Sequence, residues 1–356
     1  MSIQAMFAQQ LTELVAIPAL SGLEDALISH MAQAWQASGA QVQIDALGNV
    51  MARYGKPADA QAPLVLCAHL DSVGLLVKQV LSEDSLGVVS VGGINLKALP
   101  ATQVLIHTTP PRLGVVGVRS QHLSTPANDG TPSMEQIYIH TQSAGQVSVG
   151  TPVSYAPQIT HMGALFSAPY LDNRVGCALL LALGTSLGEQ QADLPRPVVL
   201  VGTVQEETTC YGAQVALAHL MPAGAVFVDG TLSYDTPDTR GRGAVRLGAG
   251  AVLNHFLYVS GLNAWHAHPK LTQHLLQLGA EQNLALQQDA VHGLMSDARS
   301  ALPVGIPSAL LGIPLRGKHS PQEQCHLSDL EGAFSLLKAL CHAPLPDLRR
   351  GQTSIF

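Results

Sequence analysis

The amino-acid sequence predicts an α/β fold, in which a mixed, mostly parallel sheet carries helices on both faces and a small, β-rich, barrel-like domain is inserted into the chain. Three observations lead to this prediction. Short apolar runs alternate with longer helical patterns, as in sheets whose parallel strands are connected by helices. A middle stretch contains only short β-like runs and no long amphipathic helix. Several apolar runs end abruptly in histidine or acidic residues, which predicts a site at one edge of the sheet.

The N-terminal elements come before the first strand of the parallel part of the sheet. Residues 3–36 have a helical pattern that is interrupted at 18–22, where proline, serine and glycine cluster. Ser21 followed by Glu24 predicts a capping box at the start of the second helix. The alternating segment 42–54 turns at a Leu-Gly-Asn sequence and predicts a hairpin.

A short apolar strand then ends in a His-x-Asp pair. The run Pro-Leu-Val-Leu-Cys-Ala at 63–68 is followed by His69 and Asp71. Residues two apart in an extended backbone point to the same side, so these two side chains can act together. An imidazole can bind a metal, and a nearby carboxylate can orient that imidazole. The pair alone is a weak indication of a metal site, but three later strands end in the same way.

The pattern changes after this strand and predicts an inserted domain. Short β-like runs follow one another without a long helix between them, at 87–91, 103–107, 114–118 and 136–140. We therefore expect a β-rich domain at residues 73–162, inserted into a catalytic domain formed by residues 1–72 and 163–356.

The alternation of strands and helices resumes in the second half of the chain. The predicted strands are 197–203, 225–228 and 306–314. The predicted helices are 172–187, 211–220, 270–283 and 327–340. In open parallel sheets, ligands bind beyond the carboxyl ends of the strands, so the residues that follow these strands are the candidates for a site.

Metal-binding residue types cluster at these strand ends and at one helix start. They are His69, Asp71, Asp172, Glu206, Glu207, Asp229 and His319. Two imidazoles with three or more carboxylates suit zinc or cobalt, with manganese as a further candidate, and two ions fit if one carboxylate bridges them. Such a centre can polarise a carbonyl and lower the pKa of a water molecule, while a remaining carboxylate serves as general base.

The composition excludes several classes of function. Charged residues make up 12% of the chain, against about 25% in an average protein, and the formal net charge is −7. That charge and the lack of a Lys/Arg-rich tract argue against a nucleic-acid partner. No run of about 18 apolar residues is present, so we expect no membrane span. The first residues lack the features of a signal peptide and the five cysteines form no Cys-x-x-Cys pair, which predicts a cytoplasmic protein with reduced thiols.

These segments resemble a known family. The chain is similar to the di-metal aminopeptidases that include glutamyl aminopeptidase and the tetrahedral aminopeptidase, some of which carry an endoglucanase label. The matching segments are Cys-Ala-His69-Leu-Asp71, Leu-Asp172-Asn-Arg-Val-Gly-Cys177, Val-Gln-Glu206-Glu207, Phe-Val-Asp229-Gly, and Pro-Leu-Arg-Gly-Lys-His319-Ser-Pro with Glu323 behind. Further matches are Pro-Ala-Leu-Ser-Gly22-Leu-Glu24, Leu-Gly48-Asn49 and, in the inserted part, Gly-Val-Val-Gly-Val-Arg-Ser-Gln-His-Leu123. The resemblance covers nearly the whole chain and implies an α/β/α sandwich of the zinc-peptidase kind.

The resemblance implies a set of ligands for two divalent metal ions per subunit. Asp172 would bridge the two ions. His69 and Asp229 would complete one site, and Glu207 and His319 would complete the other.

The resemblance also implies two residues that assist catalysis. Glu206 would be the general base that activates a water molecule, and Asp71 would hold His69 in orientation. Residue types alone do not separate the roles of Glu206 and Glu207. The implied activity is the removal of N-terminal residues from peptides.

The chain departs from the family pattern at three places. Ser72 stands where the family usually has glutamate, and residues 208–211 replace a segment that contains glycine. Met295-Ser-Asp297-Ala298 stands where Gly-Thr-Asp-Ala is usual. No predicted ligand is lost, so these differences bear on substrate preference and rate.

Three alternatives stay open on the sequence alone. One is a related amide hydrolase, either a deacylase or a carboxypeptidase. The second is a glycoside hydrolase with a carboxylate pair, although the 4% aromatic content offers little for stacking against sugars. The third is a catalytically silent assembly protein. Residues with less definite roles are His266 and His268, whose spacing can bind metal, Cys177 and Cys210 near the site, and Arg299 and Arg316 as candidate substrate contacts.

The resemblance implies partners as well as chemistry. Peptides would be the substrates, and the chain would form homo-oligomers, from dimers to dodecameric shells, through the inserted domain. The low content of charged residues is compatible with extensive contacts between subunits.

Overall fold

The computed structural model describes residues 2–56, 61–123, 130–261 and 263–350. Six α-helices lie in this part of the chain: α1 (Ile3–Val15), α2 (Asp25–Ala37), α3 (Leu171–Glu189), α4 (Tyr211–Leu220), α5 (Pro269–Glu281) and α6 (Leu327–His342). The strands up to the end of the barrel are β1 (Gln41–Ile44), β2 (Val50–Tyr54), β3 (Leu64–His69), β4 (Gly74–Ser82), β5 (Ser85–Val91), β6 (Gln103–Ile106), β7 (Arg112–Val116), β8 (Tyr138–His140) and β9 (Pro152–Tyr155). The later strands are β10 (Thr160–Met162), β11 (Leu165–Ala168), β12 (Val198–Thr203), β13 (Gly224–Leu232), β14 (Ala251–Tyr258), β15 (Ala264–His266), β16 (Leu286–His292), β17 (Ser308–Leu315) and β18 (Glu323–His326).

A nine-stranded mixed sheet forms the centre of the larger part of the molecule. Its order is β1-β2-β12-β3-β13-β17-β14-β15, with β16 beside β14. The central strands β12, β3, β13 and β17 are mutually parallel, whereas β2 and β14 run antiparallel to their central neighbours. The predicted fold class is confirmed, and the carboxyl ends of the four central strands lie at one edge.

Helices cover both faces of this sheet, as the residues of β3 illustrate. All six residues of the strand are buried. Leu64, Leu66 and Ala68 belong to the core that contains α1, α2, α3, α5 and α6. Val65 and Cys67 belong to a second core with residues of α4 on the opposite face. Since successive side chains of a strand point to opposite faces, a strand covered on both sides has to be apolar throughout.

Six antiparallel strands form a closed barrel, in the order β4-β5-β8-β7-β6-β9. The barrel has its own apolar core, which includes Leu75, Val77, Val104, Ile106 and Ile139. This confirms the predicted barrel-like character of the middle of the chain. All six strands fall within the predicted insertion, and the division of the chain into domains at 73 and 162 stays a prediction.

Two local predictions are wrong, and each has a physical reason. Ser21 and Glu24 do not form a capping box. Glu24 itself lies at the N-cap of α2, and its carboxylate accepts hydrogen bonds from the N–H groups of Gly22 and Gln205. The strand predicted to end before Asp229 continues through Asp229, because β13 pairs with β17 along its last residues.

Strands β14, β15 and β16 are absent from the sequence-based prediction. The residues of β16 are mostly polar and only one of them is buried, so the strand carries no apolar alternation. It is held by parallel pairing with β14 rather than by its own pattern.

None of the helices in the described ranges is both long enough and apolar enough to cross a membrane.

Candidate metal centre

The topology brings all seven predicted site residues to one edge of the sheet. His69 is the last residue of β3, which lies between β12 and β13. Glu206 and Glu207 follow β12, and Asp229 lies within β13. Because these strands are neighbours and parallel, their carboxyl ends deliver the side chains to the same place.

The remaining two residues come from outside the strand ends. Asp172 lies in the first turn of α3, where its backbone dihedral angles are not helical. His319 lies in the turn between β17 and β18 and has a φ of 62°.

A first group of metal-binding atoms surrounds the imidazole of His69. Its Nε2 lies 3.4 Å from Oδ1 of Asp172 and 3.5 Å from Oδ1 of Asp229. The three side chains are buried. The side chain of Glu206 lies beside this group, with its Oε2 3.8 Å from the same nitrogen.

A second group shares the carboxylate of Asp172. Nε2 of His319 lies 3.3 Å from Oδ2 of Asp172 and 3.3 Å from Oε2 of Glu207. The two oxygens of Asp172 therefore face different groups, Oδ1 toward His69 and Oδ2 toward His319. In each group the donor atoms of the three residues lie within 4.8 Å of one another, close enough to converge on one ion.

The donor set fits divalent cations. Oδ1 of Asp172, Oδ1 of Asp229 and Oε1 of Glu207 are buried and have no hydrogen-bond partner among the described residues. Buried carboxylate oxygens normally have a partner, and a metal ion is one of the few groups that can satisfy several of them at once. Carboxylates and imidazoles together suit zinc and similar transition metals.

Burial and the nearby charges strongly shift the pKa values of residues in the centre. Burial is the main cause that raises the pKa of Glu206 well above its usual value, and repulsion by Asp229 and Glu207 adds to it. Burial alone would lower the pKa of His69, but the surrounding carboxylates, Glu206 foremost, raise it well above its usual value. Such an accumulation of negative charge in a buried cleft indicates a functional site rather than a structural one.

Asp71 supports the centre in a way that goes beyond the predicted orientation of His69. Its two carboxylate oxygens accept the N–H groups of Glu206 and Glu207, each at 2.9 Å. Nδ1 of His69 lies 3.1 Å from the Asp71 carbonyl and 3.5 Å from its carboxylate. One aspartate thus fixes the turn of both glutamates and the ring of the neighbouring histidine.

Glu323 connects the two residues that do not come from strand ends. Its Oε2 accepts the N–H of Asp172 at 2.8 Å, and its Oε1 accepts the N–H of His319 at 2.6 Å. Burial, followed by repulsion from Asp172, raises the pKa of Glu323 to about 8. The sequence motif includes Glu323 but predicts no role for it.

The N-terminal motif residues hold the turn after β12. Oδ1 of Asn49 accepts the N–H of Val204 at 3.1 Å, and Oε1 of Glu24 accepts the N–H of Gln205 at 3.0 Å. Gln205 has a positive φ, so this turn depends on outside support. The two motifs far from the site in sequence therefore help to position Glu206.

The barrel side of the molecule holds His319. Nδ1 of its ring lies 2.7 Å from the carbonyl oxygen of Gly93, just beyond β5. The hydroxyl of Tyr155 in β9 and the N–H of Asn95 both donate to the His319 carbonyl, at 3.1 Å and 3.2 Å. A hydrogen bond from Nδ1 to a carbonyl leaves Nε2 as the atom available to a metal.

Lys318 is a further residue of the centre, and sequence reasoning missed it. Its ammonium group lies 2.6 Å from Oδ2 of Asp172 and donates to the carbonyl of Gly230 at 2.8 Å. Burial alone would lower the pKa of Lys318, but the charges of Asp172 and Asp229 raise it, so the side chain carries its positive charge. Periodicity gives no sign of this contact, because a lysine in a turn is usually solvated.

An open cavity of about 400 Å³ leads to these residues. Besides the site residues, its walls include Val259, Leu294, Met295 and Arg299. Arg316, the other candidate substrate contact, forms an ion pair with Asp235 at 2.7 Å instead.

The remaining candidates lie outside the metal groups. His266 ends β15 and His268 lies at the N-cap of α5, where both line another cavity. Cys177 and Cys210 are buried thiols. The three clusters with metal-binding geometry in the described residues all lie in the centre and include neither of these pairs.

The departures from the family pattern leave this geometry intact. The hydroxyl of Ser72 is buried and donates to the carbonyl of Ala19. The hydroxyl of Thr208 lies 3.0 Å from that of Ser21. Asp297 is buried and accepts a hydrogen bond from Thr203.

Comparison with known proteins identifies the family. A family model described as M42 glutamyl aminopeptidase matches residues 48–336. The chain belongs to the M42 family. The lysyl aminopeptidase of Pyrococcus furiosus is 30% identical over 315 residues, which cover 84% of this chain and 86% of that protein. M42 peptidases are metal-dependent, so the predictions of a metal-dependent aminopeptidase and of a hydrolase of peptide bonds are confirmed.

Solved structures of peptidases have the same fold. An aminopeptidase from the archaeon Desulfurococcus kamchatkensis aligns with a TM-score of 0.90 at 24% identity, over 99% of both chains. The TET1 peptidase of Pyrococcus horikoshii, which can assemble into a tetrahedron or a large octahedral shell, aligns with a TM-score of 0.82 at 24% identity, over 94% of this chain and 99% of that chain. At this identity the likeness establishes the fold.

Proposed function

We propose that this M42 enzyme removes N-terminal residues from peptides with the help of two divalent metal ions, zinc or cobalt first and manganese next. The observation that carries the proposal is the position of Asp172. Its two carboxylate oxygens face two separate groups of ligands, one around His69 and one around His319. A single carboxylate between two such groups is the arrangement that a bridged pair of metals requires.

Three residues would hold each ion in this proposal. His69, Asp229 and Asp172, through its Oδ1, would hold the first ion, in what we call the first position. Glu207, His319 and Asp172, through its Oδ2, would hold the second ion, in the second position. Buried carboxylate oxygens without a partner are present in both groups, which supports the assignment.

Glu206 is the general base of the reaction. Bound metal ions at these positions would polarise the scissile carbonyl and lower the pKa of the attacking water. The carboxylate of Glu206 takes a proton from the water molecule while the oxygen of the water bonds to the carbonyl carbon. Glu206 then gives this proton to the leaving nitrogen when the C–N bond breaks. Asp71 positions this base through the N–H of Glu206, and Glu206 lines the cavity that leads to the centre.

Arg299 favours substrates with an acidic N-terminal residue. It lines the cavity, and its guanidinium group has no hydrogen-bond or ion-pair partner within the described ranges. A glutamate or aspartate side chain can pair with it, whereas a lysine side chain is repelled. A charge-assisted pair of this kind is worth about tenfold in kcat/KM.

The first experiment measures metal content and substrate range together. Protein saturated with zinc or cobalt should contain two ions per chain by elemental analysis. It should release amino acids from unblocked peptides only, and faster from glutamyl than from lysyl peptides. Cleavage of N-acetylated peptides would instead support the deacylase alternative, and bound metal without any turnover would support the silent assembly protein.

We also propose that the chain forms a homo-oligomer through the barrel, in assemblies from a dimer to a dodecamer. Leu113 and Val115 of β7 are 66% and 43% exposed, and Val118, which follows this strand, is 58% exposed; we call these three apolar residues the β7 patch. Exposed apolar patches of this kind commonly mark contacts between proteins. Five free cysteines, all buried, support a reducing location such as the cytoplasm.

Charge placed on the β7 patch should split the assembly. We expect Leu113→Lys combined with Val115→Lys to reduce the particle mass measured by light scattering, since buried lysines in an interface are unfavourable. Leu302→Lys is the matched control, because Leu302 is similarly exposed, at 72%, but lies outside the barrel. An unchanged mass for the double variant would remove the β7 patch from the interface.

A further inference from the structure

The metal centre contains a cation of its own. The ammonium group of Lys318 lies 2.6 Å from Oδ2 of Asp172, the oxygen that faces the second position. The lysine is held there by a second contact, a hydrogen bond of 2.8 Å to the carbonyl of Gly230 in β13. Only 10% of its side chain is exposed. The positive charge is thus fixed inside the centre rather than resting on its rim.

The two metal positions differ in whether their oxygen of Asp172 is already in contact with this charge. In the first position, Oδ1 of Asp172 and Oδ1 of Asp229 are buried and have no hydrogen-bond partner within the described part of the chain. In the second position, the Asp172 oxygen already has a partner in Lys318. An incoming ion at the second position must share that oxygen with the ammonium group or displace it, and two cations so close repel each other.

We infer that Lys318 competes with the second metal ion, so that this chain holds one ion tightly in the first position and a second ion weakly. The inference rests on the proposed di-metal function and adds an order of binding to it. Lys318 is a positioning residue here, because it acts on the metal through Asp172. When only the first position is filled, the ammonium group balances part of the negative charge of Asp172 and Glu207, so the centre stays stable with a single ion.

Removal of the charge of Lys318 should therefore make the metal affinities of the two positions more equal. Lys318→Met keeps the length of the side chain and deletes the ammonium group. We expect it to tighten the binding of the second ion by at least about tenfold and to change the binding of the first ion by a smaller factor. Lys318→Arg keeps the charge and should retain unequal binding.

The test uses the metal-loaded full-length protein and graded chelation. Wild-type protein and variants are saturated with Zn²⁺ and dialysed against increasing concentrations of a chelator, and the zinc remaining per chain is measured by elemental analysis. Wild type should lose one ion at a chelator concentration at least about tenfold lower than the concentration that removes the other. Lys318→Met should lose both ions over one narrow range. Lys270→Met is the control, because Lys270 is exposed and its ammonium group donates to the backbone carbonyls of Asp347 and Arg349.

The outcomes of this test separate the role of Lys318 from the di-metal function. Simultaneous loss of both ions from wild type, or identical curves for wild type and Lys318→Met, would overturn the role of Lys318 and leave the di-metal function standing. A single ion in every variant at saturating Zn²⁺, or none, would overturn the di-metal function itself. If Lys318→Met does not fold, as judged by circular dichroism, Lys318→Gln serves in its place, since its amide can still donate to Gly230.

Discussion

Replacement of Glu206 by glutamine is expected to lower kcat by about a thousandfold or more while the protein keeps both metal ions. The amide has nearly the same shape as the carboxylate but cannot accept the proton of the attacking water. Glu206 is the carboxylate beside the first position that is not assigned as a ligand, with its Oε2 3.8 Å from His69 Nε2. The measurement is kcat on an unblocked peptide, paired with elemental analysis of the same sample.

The neighbouring residue offers a matched control. Glu207→Gln changes the same group one residue later, and the N–H groups of both glutamates are held by Asp71. It should lose the second metal ion, because Oε2 of Glu207 lies 3.3 Å from His319 Nε2 and belongs to that position. If Glu206→Gln kept near-normal activity, or if it lost metal as Glu207→Gln does, the separate roles of the two glutamates would have to be exchanged.

Replacement of Asp172 by asparagine is expected to weaken the binding of both metal ions by at least about a hundredfold each, with loss of activity. Asp172 is the residue that faces both positions, so one substitution removes a negative charge and a ligand oxygen from each. His319→Ala, by contrast, should cost only the second ion. Zinc per chain after dialysis at a fixed free zinc concentration measures both effects.

A buried aspartate elsewhere controls for a general loss of stability. Asp329 in α6 is fully buried, and its oxygens accept the N–H groups of Gly248 and Gly250. Asp329→Asn should retain both ions even if it lowers the melting temperature. Retention of one tightly bound ion by Asp172→Asn would show that the two positions do not share this carboxylate.

The sequence was sufficient for those site residues that follow from strand geometry. His69 and Asp71 lie two residues apart at the end of an apolar run, so their common direction follows from the alternation of side chains along an extended backbone. Glu206 and Glu207 follow the parallel neighbour of that strand, and the rule for strand ends predicts that the two pairs meet. The separate roles of the glutamates came from family resemblance, because residue types carry no information about which oxygen faces which position.

Residues that act through backbone contacts could not be predicted from the sequence. Glu323 and Glu24 accept hydrogen bonds from N–H groups of residues that are far away in the sequence. Neither contact produces a periodic pattern of apolar residues. Lys318 was missed because its effect depends on a side-chain direction set by the turn around Gly317, where φ is positive. Strand β16 was missed because its partner, not its own composition, makes it a strand.

The contacts of His319 have a consequence for how far the molecule can be divided into modules. Gly93, Asn95 and Tyr155 all belong to the segment that forms the barrel and the connections between its strands, and all three fix the ring or backbone of a proposed metal ligand. Excision of the barrel to obtain a minimal peptidase would thus leave a histidine free to rotate away from its ion. In the same way, a contact between subunits that shifted the barrel would shift the residues that hold His319. A redesign of the barrel therefore has to preserve the contacts that Gly93, Asn95 and Tyr155 make with His319.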